Sequence, residues 1–459
     1  MNAPIIRLFG VFVVLFAVLI AFTSRWAVFG ATRLKDNTKN ALVVLEQQRI
    51  KRGVIRADDG KVLAGSTPLS QQRYGRRYPT GKLFGHAVGF DDVRLGRAGL
   101  ERYYNDQLTG AKSEFAGIVD SLSKKVQVGD NLDTTLDPKA QQVAYDALNG
   151  RKGAVVAMDV KTGAVRVLAG NPQLDPARPA QNQFDSATQG LYPPGSTFKT
   201  VTAAAALDSG RYQPSSLVSG KNGKIISGTP LKNFGGENFG DITLTDALTH
   251  SVNTVWAEVG VKLGRSTMAD YMKRFGFGQV PPMDFPSRQM NAAGSYRKGK
   301  VISETSRFVD VGRTAIGQAL LLVTPLQMAT VAQTIGNGGV RMQPRLVKQV
   351  VDPDGRPTEE PLPKEAQRVM STDTASKLTA MMKQVVKEGT GTAAALQGVE
   401  LAGKTGTAEI DIGAGINDLW FIGFTPKVAV AVVLDHQQGG QGGTVAAPVA
   451  KRVLQALGQ

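Results

Sequence analysis

The chain has 459 residues, which is more than one hydrophobic core usually holds, so we expect two or more domains. A hydrophobic fraction of 42% is that of a globular protein, and the net charge of +16 indicates anionic surroundings such as nucleic acid, phospholipid or acidic wall polymers. Nucleic acid is the weakest of these, because the basic residues are scattered without interleaved aromatics. The sequence contains no cysteine, which excludes thiol catalysis and cysteine metal ligands and fits an exported protein.

The amino terminus carries a run of uncharged, mostly apolar residues at positions 8–22. With Arg7 and Trp26 at its two ends, the run reaches spanning length, so we predict a short cytoplasmic tip and a single transmembrane anchor over residues 1–30. A cleaved signal peptide is the alternative, but no A-x-A site follows the run. The positive-inside rule disagrees with this orientation, since four basic residues follow the run: Arg25, Arg33, Lys35 and Lys39.

Residues 31–130 form the second predicted unit. Positions 36–51 are polar, with a small apolar patch, and suit a linker helix or strand that leaves the membrane. Positions 52–130 alternate short β-like runs with glycine-rich turns and contain no catalytic cluster. We therefore expect a β-rich, non-catalytic pedestal.

Residues 131–459 form the third predicted unit, in which strands flank helices. Asp137 and Pro138 are a strong helix start, with the aspartate as cap and the proline in the first turn. The predicted elements are strands at 132–136, 153–160 and 164–170, helices dominating 196–263 and near 320–335, strands at 400–410, 419–424 and 428–434, and a closing helix at 448–457. This order predicts an α/β fold of the α+β type, with one sheet built from both ends of the domain and helices on its faces.

The strongest chemical signal is the sequence P-P-G-S-T-F-K at residues 193–199, directly before an alanine-rich apolar segment. It predicts a buried helix that begins near Ser196 and places Lys199 beside the Ser196 hydroxyl, one turn away. No histidine lies near a serine in a triad pattern, so lysine is the plausible base. That role requires the lysine pKa to fall by roughly three units, which burial and a second cation can cause. A second S-x-x-K copy at 121–124 has no apolar helix behind it, and we expect no function there.

Two further motifs offer partners for Ser196. Ser251 and Asn253 form S-x-N within a segment, 244–261, that has helical periodicity; the pair offers a hydroxyl for proton relay and an amide for a peptide, although a helix cap would also explain it. Residues 404–407 form K-T-G-T on a predicted strand. There Gly406 would let a ligand approach, and Thr405, Thr407 and Lys404 would bind a carboxylate, with Lys404 as the second cation.

Two decoys accompany the K-T-G-T motif. Residues 161–163 repeat K-T-G, but in a tight turn whose chemistry explains them. Residues 398–405 match the P-loop pattern G-x-x-x-x-G-K-T. A P-loop needs an apolar strand before the first glycine and a helix after the lysine, and this segment has neither, so we reject nucleotide binding.

In this order and on these elements, S-x-x-K, S-x-N and K-T-G-T resemble the transpeptidase domain of penicillin-binding proteins. The residues at 315–318, 324–329, 336–339 and 420–424 also resemble the family's flanking segments, and 52–55 and 99–104 resemble its pedestal motifs. Because residues 31–130 leave no room for a glycosyltransferase domain, the resemblance implies class B, and the pedestal is most similar to the actinobacterial penicillin-binding protein A group. The implied fold is the penicillin-binding and serine β-lactamase-like one, with a mainly antiparallel five-stranded sheet between helices.

The resemblance also implies a function, a peptidoglycan D,D-transpeptidase of the single-pass cell membrane type with its catalytic domain outside the cytoplasm. Ser196 would attack the D-Ala-D-Ala carbonyl, Lys199 would be the base and Ser251 the proton relay, with no metal and no cofactor. The substrate contacts would come from Asn253, Lys404, Thr405, Gly406 and Thr407. The implied partners are stem peptides, β-lactams, the cytoplasmic membrane and a SEDS-family glycosyltransferase.

Three alternatives share some of these features. A D,D-carboxypeptidase or a β-lactamase would carry the same three motifs, although no glutamate motif for deacylation is evident. A catalytically silent penicillin-binding scaffold or sensor would keep the fold without the reaction. One departure from many relatives lies at Asp418 and Leu419, which stand where a histidine-alanine pair usually precedes Trp-Phe.

Overall fold

A computed structural model describes residues 3–25, 48–70, 73–110, 127–411 and 413–459 of the chain. The second S-x-x-K copy at 121–124 and most of the predicted linker, 36–47, lie outside the described residues.

The amino-terminal helix Ala3–Arg25 is 23 residues long, and every described side chain on it is exposed. It is strongly apolar, and at 1.5 Å per residue it is about 35 Å long. A bilayer core is about 30 Å thick, so the helix fits a single-pass membrane anchor. Within the described ranges it is the one helix that is long and apolar enough to cross a membrane.

The central element is a five-stranded sheet in which all neighbours are antiparallel. From one edge to the other its strands are Ala402–Asp411, Ile416–Phe424, Val428–Gln438, Gly153–Asp159 and Val165–Asn171. Strands Gly153–Asp159 and Val165–Asn171 therefore pair beside the last three strands of the chain, as the order of the predicted elements indicated. The fold class predicted from the sequence is confirmed.

Each face of this sheet is covered by helices. Side chains alternate along a strand, so Trp420 and Ile422 point into one core and Leu419 and Phe421 into the other. The helices Lys199–Asp208, Pro325–Gly336 and Thr372–Lys387 pack in the first core. The helices Pro138–Leu148 and Ala447–Ala456 cover the second face. Asp137 caps its helix as predicted, since its side chain accepts a hydrogen bond from the Ala140 N–H.

Smaller elements fill the rest of this region. The other helices are Leu244–Thr249, Asn253–Leu263, Arg265–Arg274 and Val311–Thr314. The single-turn elements are Gly195–Phe198, Phe234–Gly236, Ser287–Gln289 and Thr392–Ala394, all 3-10, and the π-turn Gly442–Ala446. The short strands are Leu217–Ser219, Lys224–Ile226, Thr229–Leu231, Asp241–Thr243, Gly294–Arg297, Lys300–Val301, Leu321–Leu322, Val340–Met342 and Glu365–Arg368.

Two predicted helical regions are wrong in part. Residues 217–243 form two strand pairs instead of helix, because this stretch is interrupted by glycines whose positive φ angles make tight turns, such as Gly223 and Gly228. The helix predicted near 320–335 begins only at Pro325, where Thr324 caps it, after the strand Leu321–Leu322.

A six-stranded sheet forms the pedestal. Its strands are, in order, Pro357–Glu359, Val347–Val351, Asn131–Thr134, Ile55–Arg56, Val62–Ser70 and Arg73–Arg77. The first two of these come from far beyond residue 130, so the sheet draws strands from both sides of the predicted domain boundary. Helices Gly81–Phe84 (3-10), Gly85–Val88, Gly99–Tyr103 and Asn105–Thr109 and the strand pair Asp91–Asp92 and Gly96–Arg97 complete this part.

Candidate active site

The segment that carries Ser196 is a 3-10 turn, Gly195–Phe198, which continues directly into the buried helix Lys199–Asp208. Thr197 closes the turn, because its hydroxyl donates to the Pro194 carbonyl at 2.7 Å. Ser196 is half-buried at the surface of the turn, whereas Lys199 is fully buried one turn later. The predicted helix start near Ser196 is confirmed.

Three contacts from distant segments hold this turn in place. The Gly195 N–H donates to the Gly317 carbonyl at 2.9 Å, and the Trp420 indole Nε1 donates to the Pro193 carbonyl at 2.9 Å. A β-carbon at Gly406 would lie 2.8 Å from the Pro194 carbonyl oxygen. Gly406 therefore permits the close approach of the protein's own turn; the sequence had suggested a ligand in this space.

The Lys199 amine is surrounded by oxygen acceptors from the S-x-N motif. Its Nζ lies 2.6 Å from the Ser251 carbonyl oxygen, 3.2 Å from Ser251 Oγ and 2.7 Å from Asn253 Oδ1. Lys404 reaches the same serine from the strand Ala402–Asp411, with its Nζ 2.9 Å from Ser251 Oγ and 3.0 Å from the Thr405 carbonyl oxygen. The Ser251 hydroxyl thus bridges two buried amines.

A break between two helices makes this bridge possible. The sequence predicted one helix through 244–261, but the structure has Leu244–Thr249 and Asn253–Leu263, separated at Ser251. Ser251 has a φ of +59°, a left-handed conformation that a continuous helix cannot contain. The left-handed residue therefore explains why the prediction of one helix was wrong. The break turns both the Ser251 carbonyl and its hydroxyl toward Lys199.

The two lysines have strongly perturbed electrostatics. Burial lowers the pKa of Lys199 well below its ordinary value of 10.5, and the neighbouring Lys404 charge lowers it further. Burial lowers the pKa of Lys404 to about 7. In the described chain neither amine is paired with a carboxylate, which would have opposed these shifts. Lys199 is therefore suited to be a neutral base near pH 7.

The two threonines of K-T-G-T present hydroxyls on the same strand. Thr405 Oγ1 lies 2.6 Å from Thr390 Oγ1, and Thr407 Oγ1 accepts from the Gly442 N–H at 3.2 Å. Thr407 also lies against the turn that bears Ser196, because a β-carbon at Gly195 would be 3.0 Å from the Thr407 carbonyl oxygen. These contacts bring the strand and the Ser196 turn side by side.

The predicted site residues thus lie in one connected group, with Ser196 and Lys199 on the turn and helix, Ser251 and Asn253 at the helix break, and 404–407 on the adjacent strand. Sequence reasoning assigned no role to Thr390, Gly317 or Trp420. Of these three residues, only Gly317 could have been singled out from the sequence, because an isolated glycine can indicate a close backbone approach or a positive φ. The Thr390 contact depends on tertiary packing, which no local pattern encodes.

Both decoys are explained by the structure. Residues 161–163 form a tight turn, in which the Thr162 hydroxyl and N–H donate to Asp159 and Gly163 has a φ of +71°. Lys404 lies inside a strand, and residues before it form the 3-10 turn Thr392–Ala394, so 398–405 lacks the strand-loop-helix context of a P-loop.

Comparison with known proteins agrees with this geometry. Residues 153–455 match the family described as the penicillin binding protein transpeptidase domain, and residues 52–132 match the penicillin binding protein A dimerisation domain. The chain is 30% identical to the peptidoglycan D,D-transpeptidase PbpA of Mycobacterium tuberculosis and 31% identical to that of Mycolicibacterium smegmatis, in each case over 99% of both chains.

A solved structure is also similar. The ceftriaxone acyl-enzyme complex of M. tuberculosis penicillin-binding protein A superposes with a TM-score of 0.80 and 30% identity, covering 90% of this chain and all of that one. The protein therefore belongs to the class B penicillin-binding proteins, with the transpeptidase domain of that family and a pedestal of the penicillin-binding protein A type.

Proposed function

We propose that the chain is a serine-type peptidoglycan D,D-transpeptidase that cross-links stem peptides in cell wall synthesis. The main support is the Ser251 hydroxyl, which contacts two buried amines of lowered pKa; one of them, Lys199, lies one turn after Ser196. The relatives from M. tuberculosis and M. smegmatis are named peptidoglycan D,D-transpeptidases, and a similar structure is a β-lactam acyl-enzyme.

In the acylation step, neutral Lys199 takes the proton of the Ser196 hydroxyl while the oxygen attacks the carbonyl carbon of the D-Ala-D-Ala bond. The C–N bond then breaks, Ser251 passes a proton to the leaving nitrogen, and D-alanine departs, leaving an ester on Ser196. In the second step an amine from a neighbouring stem attacks this ester, forming the cross-link and returning the proton to Ser196. Lys199 serves as base for this attack as well.

Substrate contacts follow from the surrounding groups. The Asn253 amide holds the backbone of the donor peptide, and Lys404 with the hydroxyls of Thr405 and Thr407 binds its terminal carboxylate. The backbone N–H groups of Ser196 and Thr407 stabilise the oxyanion, each worth roughly a hundredfold or more in rate. Gly406 keeps the strand close enough to the turn for both N–H groups to serve one oxygen, which its packing against Pro194 supports.

The same serine accounts for β-lactam sensitivity. A β-lactam offers a strained amide and a carboxylate in the positions of the D-Ala-D-Ala bond and its terminus, so the ring opens onto Ser196. The ester persists because no acceptor amine reaches it, and the enzyme stays acylated.

The cellular arrangement is part of the proposal. Helix Ala3–Arg25 anchors the chain in the cytoplasmic membrane in a single pass, with residues 31–130 as pedestal and 131–459 as the catalytic domain outside the cytoplasm. Stem peptides are found on that side, and a SEDS-family glycosyltransferase would supply the glycan strands that carry them. The location of the stem peptides is what supports a catalytic domain outside the cytoplasm.

Transpeptidation is tested with the purified full-length chain, a pentapeptide donor and an excess of a stem-peptide amine acceptor. We expect a cross-linked product together with free D-alanine, and neither from Ser196→Ala. Tetrapeptide without cross-linked product would indicate a carboxypeptidase. No turnover by the folded enzyme would support the catalytically silent scaffold.

A further inference from the structure

Asn233 is a buried asparagine in the segment 214–243, outside the three motifs, with only 4% of its surface exposed. Its side chain uses its hydrogen-bonding groups within the protein. Nδ2 donates to the carbonyl oxygens of Gly220 and Glu237, both at 3.0 Å, and so holds two loops of the segment together. Oδ1 accepts two bonds from a single residue of another element, Thr254.

Those two bonds supply a missing helix cap. The helix Asn253–Leu263 begins after Val252, whose side chain cannot accept the free N–H groups of the first turn. Asn233 Oδ1 accepts the Thr254 N–H at 3.0 Å and the Thr254 hydroxyl at 3.1 Å. The helix that starts with Asn253 is therefore capped by a side chain from 20 residues upstream in the chain, where a local Ser, Thr or Asp usually serves.

The residue next to Asn233 acts on Asn253 itself. The Lys232 carbonyl oxygen accepts from Asn253 Nδ2 at 3.2 Å, while Asn253 Oδ1 accepts from Lys199 at 2.7 Å. The amide of Asn253 is thus fixed from both sides, and the orientation leaves one Nδ2 hydrogen for a ligand. Displacement of residues 232–233 would release the Nδ2 side of this amide, while Oδ1 keeps its bond to Lys199.

We propose that Asn233 is a positioning residue for recognition of the donor peptide: it caps the helix of Asn253 and holds the Lys232 carbonyl against the Asn253 amide. This inference rests on the proposed function, in which Asn253 binds an amide of the substrate. It assigns to the segment 214–243 the task of setting specificity for donors that carry such an amide.

The test compares two β-lactams on the full-length enzyme. Penicillin G carries a 6-acylamino group, whereas penicillanic acid has the same ring and carboxylate without it. For Asn233→Leu we expect the second-order acylation rate constant to fall about tenfold with penicillin G and to stay within about twofold with penicillanic acid. Asn253→Ala should lower the penicillin G rate at least as much, and adding Asn233→Leu to it should cause no further loss with penicillin G, because both act on one contact.

The matched control is Asn238→Leu, the same change at an exposed asparagine of the same segment, which should leave both rates unchanged. Asn233→Asp is a second variant for the case that Asn233→Leu does not fold: it has nearly the same shape but sets a carboxylate against the Gly220 and Glu237 carbonyls, and should show the selective loss. Equal losses with both β-lactams, or no loss with either, would overturn the proposal. Wild-type enzyme that neither compound acylates would instead refute the proposed function.

Discussion

At the scale of single residues, the proposed chemistry depends on two amines, those of Lys199 and Lys404, that contact one hydroxyl, that of Ser251. Lys199 and Lys404 lie in the interior, and no carboxylate among the described residues pairs with either of them. Burial therefore destabilises their charged forms. The pKa of Lys199 is lowered both by burial and by the Lys404 charge, which act in the same direction. Destabilisation of the charged form thus favours a neutral amine that can act as a base near pH 7.

Replacing Lys404 with methionine tests this coupling. Lys404→Met removes the cation but keeps the volume, so the pKa of Lys199 should rise and the acidic limb of the pH profile of penicillin acylation should move to higher pH. At pH 7 we expect acylation to be roughly tenfold slower, because less Lys199 is neutral and the carboxylate contact is lost. The measurement is the second-order rate constant of penicillin acylation from pH 5 to 9. An acidic limb that does not move would mean that Lys404 does not influence the pKa of Lys199.

The pairing of Ser196 with Lys199 could be predicted from the sequence, because residues three apart on a helix lie on the same face. The spacing of the other motifs carries no such information. That Ser251 lies between the lysines depends on its left-handed backbone, and the contact of Thr390 with Thr405 depends on segments far apart in the chain. Neither feature has a local signature in the residues around it.

At the scale of elements, the candidate active site lies where a turn, a helix break and a strand edge meet. The strands of the central sheet and the closing helix were predictable from their apolar patterns. The strands are buried along most of their length, and the helix buries one face against the sheet. The strands within 217–243 could not be predicted in this way, because each is only three residues long and shows no periodic pattern. The break at Ser251 was missed because the apolar spacing on its two sides remains in register with one helix.

Gly317 packs against the turn that bears Ser196, and we expect a side chain at this position to impair acylation. Its φ is +76°, and a β-carbon would lie 2.0 Å from the Gly195 carbonyl oxygen in the turn before Ser196. Gly317→Ala must push that turn away, and a shift of about 1 Å at a nucleophile can cost roughly a hundredfold in rate. We expect acylation by penicillin G to fall by about that factor in protein that remains folded.

Gly299→Ala is the control for backbone strain alone. Gly299 has a similar φ of +73°, but a β-carbon there would meet no atom within 4 Å. It should lower the melting temperature slightly and leave acylation unchanged. Equal acylation by both variants would show that the Gly317 contact does not set the position of Ser196.

At the scale of the whole molecule, the pedestal and the catalytic region are joined by more than one chain crossing. Strand Val347–Val351 leaves the catalytic region to pair with Asn131–Thr134 in the pedestal sheet. Asp284 secures that junction: it accepts from the Leu346 and Val347 N–H groups at 2.7 and 2.8 Å and from the Tyr104 hydroxyl at 3.1 Å. These three hydrogen bonds add to the strand pairing that joins the two parts.

Burial raises the pKa of Asp284 to about 6, although its hydrogen bonds act in the opposite direction. An unfolded aspartate titrates near 3.9, so between about pH 4 and 6 the folded chain holds a proton that the unfolded chain has lost. This group's contribution to stability is therefore full below about pH 4 and is lost as pH rises through 6, by at most about 3 kcal/mol. Asp284→Asn should flatten the pH dependence of the melting temperature in this window, while Tyr104→Phe, which keeps the carboxyl, should preserve it; an unchanged slope in Asp284→Asn would contradict the assignment.

The role of Ser196 can be tested by labelling the purified full-length chain with a fluorescent penicillin, followed by mass mapping of the modified residue. We predict a stable adduct of one penicillin on Ser196, absent from Ser196→Ala protein with the same melting temperature. An adduct on another residue, or no adduct on folded protein, would contradict the central claim that Ser196 is the nucleophile that Lys199 activates.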